Sequence, residues 1–206
     1  RLVGLILLLS FTYFASCSQP KNPTAWLQDN TTELKTTSGY DFSAIKEAIG
    51  DKRMVAIGES THGSGTYYAL KSELVKYLHQ EMGFEVLAME SGLGDTNLAF
   101  SDIDALTGEE LRDFSVFGNF RAKEANALFE HIKEASTSEK PLFYAGYDTQ
   151  ASSQYMFDKL SKILSDYDKE LADSLSTRMR SYQRSYSYGH NGDSINYLKH
   201  RDIFVE

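Results

Sequence analysis

The sequence predicts a three-layer α/β domain with a mostly parallel sheet flanked by helices. Two observations carry that reading. Short apolar runs alternate along the chain with segments of helical periodicity, the order that marks βαβ units. Each run is a continuous apolar stretch of five or six residues, the pattern of strands buried on both faces. A hydrophobic fraction of 41% over 206 residues supplies core enough for one such domain.

Taken in order, residues 17–38 are polar and irregular apart from Ala25-Trp26-Leu27. Asp41 to Ile49 carries apolar residues at helical spacing, and Gly50 stops it. Arg53-Met54-Val55-Ala56-Ile57 reads as the first strand, ending at Gly58. Tyr67–Met82 is a helix with Leu70, Leu74, Val75 and Leu78 at helical spacing, closed by Gly83. Phe84 to Met89 is the second strand. A loop and helical stretch from Thr96 to about Leu111 follows, then a helix over Phe120 to Ala135. Pro141 to Ala145 is the third strand. Helices are expected at Gln154–Asp166 and Lys169–Gln183, and another begins at Tyr197. Ser181–Asp193, rich in Tyr, Ser and Gly, reads as a surface loop, with a binding loop near the site as the alternative.

The N-terminal segment stands apart. Residues 2–15 form an apolar run behind Arg1, too short to span a bilayer comfortably but of the length of a signal-peptide h-region. It ends Phe14-Ala15-Ser16-Cys17, similar to a bacterial lipobox, and Cys17 is the single cysteine. The expectation is a signal peptide over 1–16, lipidation of Cys17, a polar tether over 17–38 and the α/β domain over 39–206. The corresponding location is the cell envelope, with the membrane reached only through the lipid. The chain opens without methionine and stops within what reads as a helix, so a segment of a longer reading frame is expected.

Charge narrows the partners. A formal net charge of −8 does not favour binding to nucleic-acid phosphates. One cysteine cannot form an internal disulfide or a thiolate metal cluster.

The strand ends then converge. Strand one runs into Gly58-Glu59-Ser60-Thr61-His62-Gly63, strand two into Glu90-Ser91-Gly92, strand three into Gly146-Tyr147-Asp148. Ligand sites in parallel sheets form at the carboxyl ends of strands. Neighbouring strands lie about 4.8 Å apart, which lets Glu59, His62, Glu90 and Asp148 face one cleft. An imidazole takes a proton from water near neutral pH, and a carboxylate beside it orients the ring. Asp148 also fits a plain helix-cap role. Ser60 is a weak nucleophile candidate, because His62 stands where a nucleophile elbow needs its second glycine. Glu59-x-x-His62 matches one unit of a di-iron motif, but no second copy exists. His79 and His131 read as surface residues of helices, and His190 and His200 as isolated.

These residues also carry a resemblance. Met54-Val55-Ala56-Ile57-Gly58-Glu59-Ser60-Thr61-His62-Gly63, the helix to Leu78, and Gly83 to Glu90 resemble the opening of erythromycin esterase-like proteins. Tyr144 to Gln150 is similar to that family's Gly-Phe-Asp-x-Gln block, and Phe120-Arg121-x-x-Glu124 to its aromatic-Arg-x-x-Glu stretch. His200-Arg201-Asp202 resembles the start of an Arg-Asp helix. The resemblance implies hydrolysis of an ester or lactone without a cofactor, the water activated at His62 and assisted by Glu59 and Glu90. It implies substrate contacts from Arg121, Asp148 and Lys71, the last standing where macrolide-cleaving members carry arginine. Lysine keeps the charge but loses the bidentate fork. Two other readings fit the same cleft: a lipoprotein that binds a small molecule without cleaving it, and a metal-dependent hydrolase.

Overall fold

The computed structural model describes residues 22–31, 33–34 and 39–189, the last nine by backbone alone. Cys17, the apolar run before it, and His190 and His200 lie outside the described residues. The chain divides into two compact units, one through Ala48 and one from Ile49.

In the first unit the expected irregular stretch contains a helix, α1 (Pro23–Asp29). Its start is set locally. The Asn22 side chain accepts from the Ala25 amide at 3.1 Å, and proline occupies the first turn, where no amide donor is required. A second helix, α2 (Ser43–Ile49), begins where Asp41 accepts from the Ser43 amide at 3.0 Å.

The second unit holds the α/β domain. Helix α3 (Gly65–Met82) ends at Gly83, whose φ of 72° lets its amide reach the His79 carbonyl while Phe84 closes on Leu78. Strand β1 (Val86–Gly92) runs directly into α4 (Leu93–Ser101). Helix α5 (Gly108–Ser115) starts with a reciprocal cap between Thr107 and Glu110. Helix α6 (Asn126–Ala135) precedes strand β2 (Phe143–Asp148), and α7 (Tyr155–Ser165) and α8 (Lys169–Gly189) follow. The core gathers Leu111, Val116, Phe129, Ile132, Leu142 and Tyr144. Burying one such side chain is worth about 1.5–3 kcal/mol. Tyr144 spends its hydroxyl on Ser115 at 2.9 Å, and burial pushes its pKa up to about 12.

The sheet corrects the sequence reading in number, not in sense. Strands β1 and β2 pair in parallel, Val86 opposite Phe143 and Met89 opposite Gly146. Among the described residues they are the whole sheet. Among the described residues the expected first strand, 53–57, has no ladder. Its residues alternate in burial, with Val55, Ile57 and Glu59 half-buried and Met54, Ala56 and Gly58 exposed. One-sided packing of Ile57 on the core satisfies that alternation without a partner strand. An apolar run reports burial, not pairing.

Two further expectations change. The helix expected over 120–135 starts at Asn126, because 118–125 is taken up by two 3₁₀ turns separated by extended backbone at Ala122. The expected surface loop from 181 is helical through Gly189. The sheet is also open on one side among the described residues. Leu87, Met89 and Tyr144 face the core, while Val86, Phe143 and Tyr147 are 62%, 53% and 65% exposed.

Candidate active site

The segment before α3 is built to present an imidazole. After Gly58 the chain carries Glu59 and His62 and then turns at Gly63, whose φ of 89° is a region that residues with a Cβ rarely enter. His62 Nδ1 lies 2.5 Å from Glu59 Oε1. An ionised carboxylate only accepts, so Nδ1 carries a proton, and in the neutral ring Nε2 keeps its lone pair. The other Glu59 oxygen receives the Lys71 ammonium from α3. Glu59 is thus a bridge with both oxygens engaged.

Exposure differs sharply within this trio. The Glu59 side chain is 11% exposed and that of His62 56%. Burial alone would raise the Glu59 pKa, and it is the largest single influence. Hydrogen bonds and charge from Lys71 and His62 together outweigh it, so the carboxyl is held below its ordinary value. A half-buried anion therefore backs a more exposed imidazole.

Aromatic packing fixes the ring. His62 lies edge-on to Phe120, centroids 5.3 Å apart, and Tyr68 meets the same ring at 6.1 Å. The Tyr68 hydroxyl donates to the Asn119 carbonyl at 2.8 Å. Burial, with the nearby Glu59 charge, pushes the Tyr68 phenol up. Ser60 pairs with the Tyr67 hydroxyl at 3.1 Å and makes no hydrogen bond to His62.

The other expected site residues are placed differently. Glu90 lies in β1 on the same face as Val86, within the irregular register between Met89 and Gly92. It is exposed, and among the described residues it forms no hydrogen bond or ion pair to Glu59, His62 or Lys71. Asp148 ends β2 and accepts from the Gln150 amide at 2.8 Å, a local turn contact. Arg121 donates to the Val116 carbonyl, and to that of Ser152 at 2.9 Å. It ties the segment before α6 to the loop after β2.

Sequence reasoning missed Asp95, in the first turn of α4 and fully buried. Its carboxylate accepts from the amides of Ser152, Ser153 and Met156 and from the Ser153 hydroxyl. A buried carboxylate thus organises the loop after β2. Gly92 and Gly146 make the close approach there feasible. A Cβ on Gly92 would fall 2.5 Å from the Gln150 carbonyl oxygen, and one on Gly146 2.5 Å from that of Ser91. The available signal was an acid just past a glycine-rich strand end.

A cavity of about 1040 Å³ opens beside this loop, lined by Arg121, Gln150, Tyr155 and Lys159 among others. Glu59, His62 and Lys71 do not line it. Among the described residues no three His, Cys, Asp or Glu side chains are grouped to hold a metal ion.

Comparison with known proteins agrees in kind. The chain is 32% identical over 178 residues to YbfO of Bacillus subtilis (strain 168), a protein whose name marks it as a hydrolase. That alignment takes in 84% of this chain and 40% of YbfO. The chain is distantly homologous to proteins named as hydrolases. It matches the erythromycin esterase type II of Escherichia coli at 30% identity over 74 residues, 34% of this chain and 18% of that protein. The chain thus spans well under half the length of both relatives. No family model matches. Two solved structures share the fold. A Bacillus cereus protein aligns with a TM-score of 0.52 at 20% identity, over 78% of this chain and 41% of its own. A succinoglycan biosynthesis protein aligns at 0.51 and 26%, over 77% and 40%.

Proposed function

We propose that this chain carries the catalytic turn of a hydrolase that cleaves an ester or lactone with water. The observation that supports it is the 2.5 Å contact between His62 Nδ1 and a half-buried, ionised Glu59, with Nε2 making no hydrogen bond among the described residues. In the reaction Nε2 takes a proton from water, and the hydroxide formed attacks the carbonyl carbon. The tetrahedral intermediate collapses, breaking the bond to the alkoxide. That oxygen recovers the proton from the imidazolium, giving acid and alcohol. Glu59 holds the tautomer and stabilises the imidazolium while it exists. Lys71 keeps Glu59 ionised. Glu90, near the end of β1, acts on the bound water or substrate, and Asp148 and Arg121 contact the substrate.

The test is hydrolysis of a panel of p-nitrophenyl esters and lactones by the full-length protein beside His62→Ala. Removing a general base costs about a hundred- to ten-thousand-fold. Equal turnover by the variant would end this mechanism. The cavity after β2 favours the rival reading, a binder that leaves its ligand intact. Saturable binding without product in the same assays would select it. Lipidation of Cys17 and export to the cell envelope belong to the same proposal. Incorporation of labelled palmitate, abolished by Cys17→Ala, is the expected result.

A further inference from the structure

Helix α3 begins without a side-chain cap, since Ser64 offers no such hydrogen bond. What stands at its first residue is instead a carboxylate from far along the chain. An ideal Cβ on Gly65 would lie 2.7 Å from the Glu124 carboxyl carbon, and 2.8 and 3.1 Å from its two oxygens. Glu124 can lie that close because residue 65 has no side chain. The first turn of a helix exposes unpaired amides and the positive end of the dipole, so an anion there is favourable.

The same segment touches the site a second time. Phe120, four residues before Glu124, receives the edge of the His62 ring, and Gly65 is three residues past His62. Residues 118–125 therefore bracket the turn, with an aromatic ring against the imidazole and a carboxylate against the helix start. Phe120 and Ala125 anchor that segment in the core.

We propose that Glu124 is a positioning residue of the His62 site, holding the first turn of α3 so that Glu59 and His62 keep their contact. The proposal rests on the hydrolase reading above. It adds a second acid to the turn, and one that Glu90 does not supply through any contact with it. Glu124 acts through Glu59 and His62, not on the substrate.

The experiment uses the full-length protein, p-nitrophenyl butyrate and four variants: Glu124→Gln, Glu124→Asp, Gly65→Ala and His62→Ala. Gly65→Ala displaces the Glu124 carboxylate without deleting it, and the displaced atoms are the far end of a flexible side chain, so folding is preserved. Glu124→Gln and Gly65→Ala are each expected to lower kcat about tenfold or more with KM within about threefold, the pattern of a lost transition-state interaction. Glu124→Asp recovers part of the rate. A readout independent of turnover is the low-field proton resonance of His62 Nδ1–H, which is expected to broaden in Glu124→Gln and Gly65→Ala. Unchanged kcat and an unchanged resonance in both would overturn the role of Glu124, even where His62→Ala is inactive. Full activity in His62→Ala would instead overturn the hydrolase reading, leaving the resonance to decide on Glu124.

Discussion

The two ends of helix α3 each hold a histidine in a hydrogen-bonded pair, and they have opposite characters. At the N-terminal end His62 is more than half exposed, backed by an anion and open at Nε2. At the C-terminal end His79 is buried, and its Nε2 lies 2.9 Å from the Lys140 carbonyl oxygen. A carbonyl only accepts, so His79 carries its proton on Nε2. Its Nδ1 then accepts from Nε2 of His131 at 2.9 Å. This corrects the reading of both histidines as surface residues. They join α3, α6 and the lead into β2 across a desolvated contact. One helix thus carries two contrasting imidazoles: one half-exposed with a carboxylate partner, the other buried with both ring nitrogens hydrogen-bonded.

The largest effects break this comparison by deletion. His62→Ala is expected to abolish most turnover while changing the melting temperature little. His131→Ala does the reverse. It leaves the buried His79 Nδ1 without its donor and opens a void, together costing about 2–4 kcal/mol. For a chain of this size that is a fall of about 2–4 °C per kcal/mol. Calorimetry and an ester assay on both variants check the pattern. A thermally normal His131→Ala would show that the pair is not structural.

Protons sharpen the same contrast. Burial, with the charge of His79 and Lys76, holds the His131 pKa below its ordinary value of 6.5, against weaker opposition from Glu134 and Glu73. The unfolded chain then binds the proton more readily than the folded one. Stability is full above about pH 6.5 and declines as pH falls from there toward the depressed folded value. His131→Gln, which keeps a donor but cannot titrate, is expected to flatten stability against pH in that window. Denaturant midpoints from pH 7.5 to 5 measure it, and an unchanged slope would count against the pair. Glu59 has the opposite sense of use. Its lowered pKa keeps it ionised below its ordinary range, so its hold on His62 persists through that window.

A smaller effect probes the cation. Lys71→Met removes the charge that helps keep Glu59 ionised, and is expected to lower kcat several-fold. Lys71→Arg retains most activity. Rate against pH is the measurement, and loss of rate equal to that of His62→Ala would promote Lys71 from support to chemistry.

How much of this was legible depends on what each residue answers to. The βαβ order and the turn Gly58 to Gly63 are local patterns, and both Glu59 and His62 follow from spacing three residues apart. The apolar runs at 84–89 and 141–145 mark the two strands, β1 and β2, to within a few residues, while their register, Val86 opposite Phe143, is set by packing. What escaped the sequence is set by distant contacts. His79 and His131 become core residues only when α3 and α6 pack, and nothing in their neighbours announces it. Asp95 is spent on amides some sixty residues away. Residues 53–57 have the composition of a strand, but their pairing depends on a partner that periodicity cannot name.

The smallest expected effect compares the two ends through backbone alone. Gly63 and Gly83 flank α3, with φ of 89° and 72°, and a Cβ at either would have nothing within 4 Å. Sterics with neighbours are therefore equal, and each Gly→Ala change costs stability only through the left-handed backbone, about 1 kcal/mol. The two variants should melt within a degree or two of one another. They should differ in catalysis. Alanine at 63 strains the link between His62 and the helix, so Gly63→Ala loses turnover, whereas Gly83→Ala, at the structural end, keeps it. Equal activity in both would mean that the turn at 63 tolerates relaxation without disturbing the imidazole, and that its placement is governed from Phe120 and Glu59 instead.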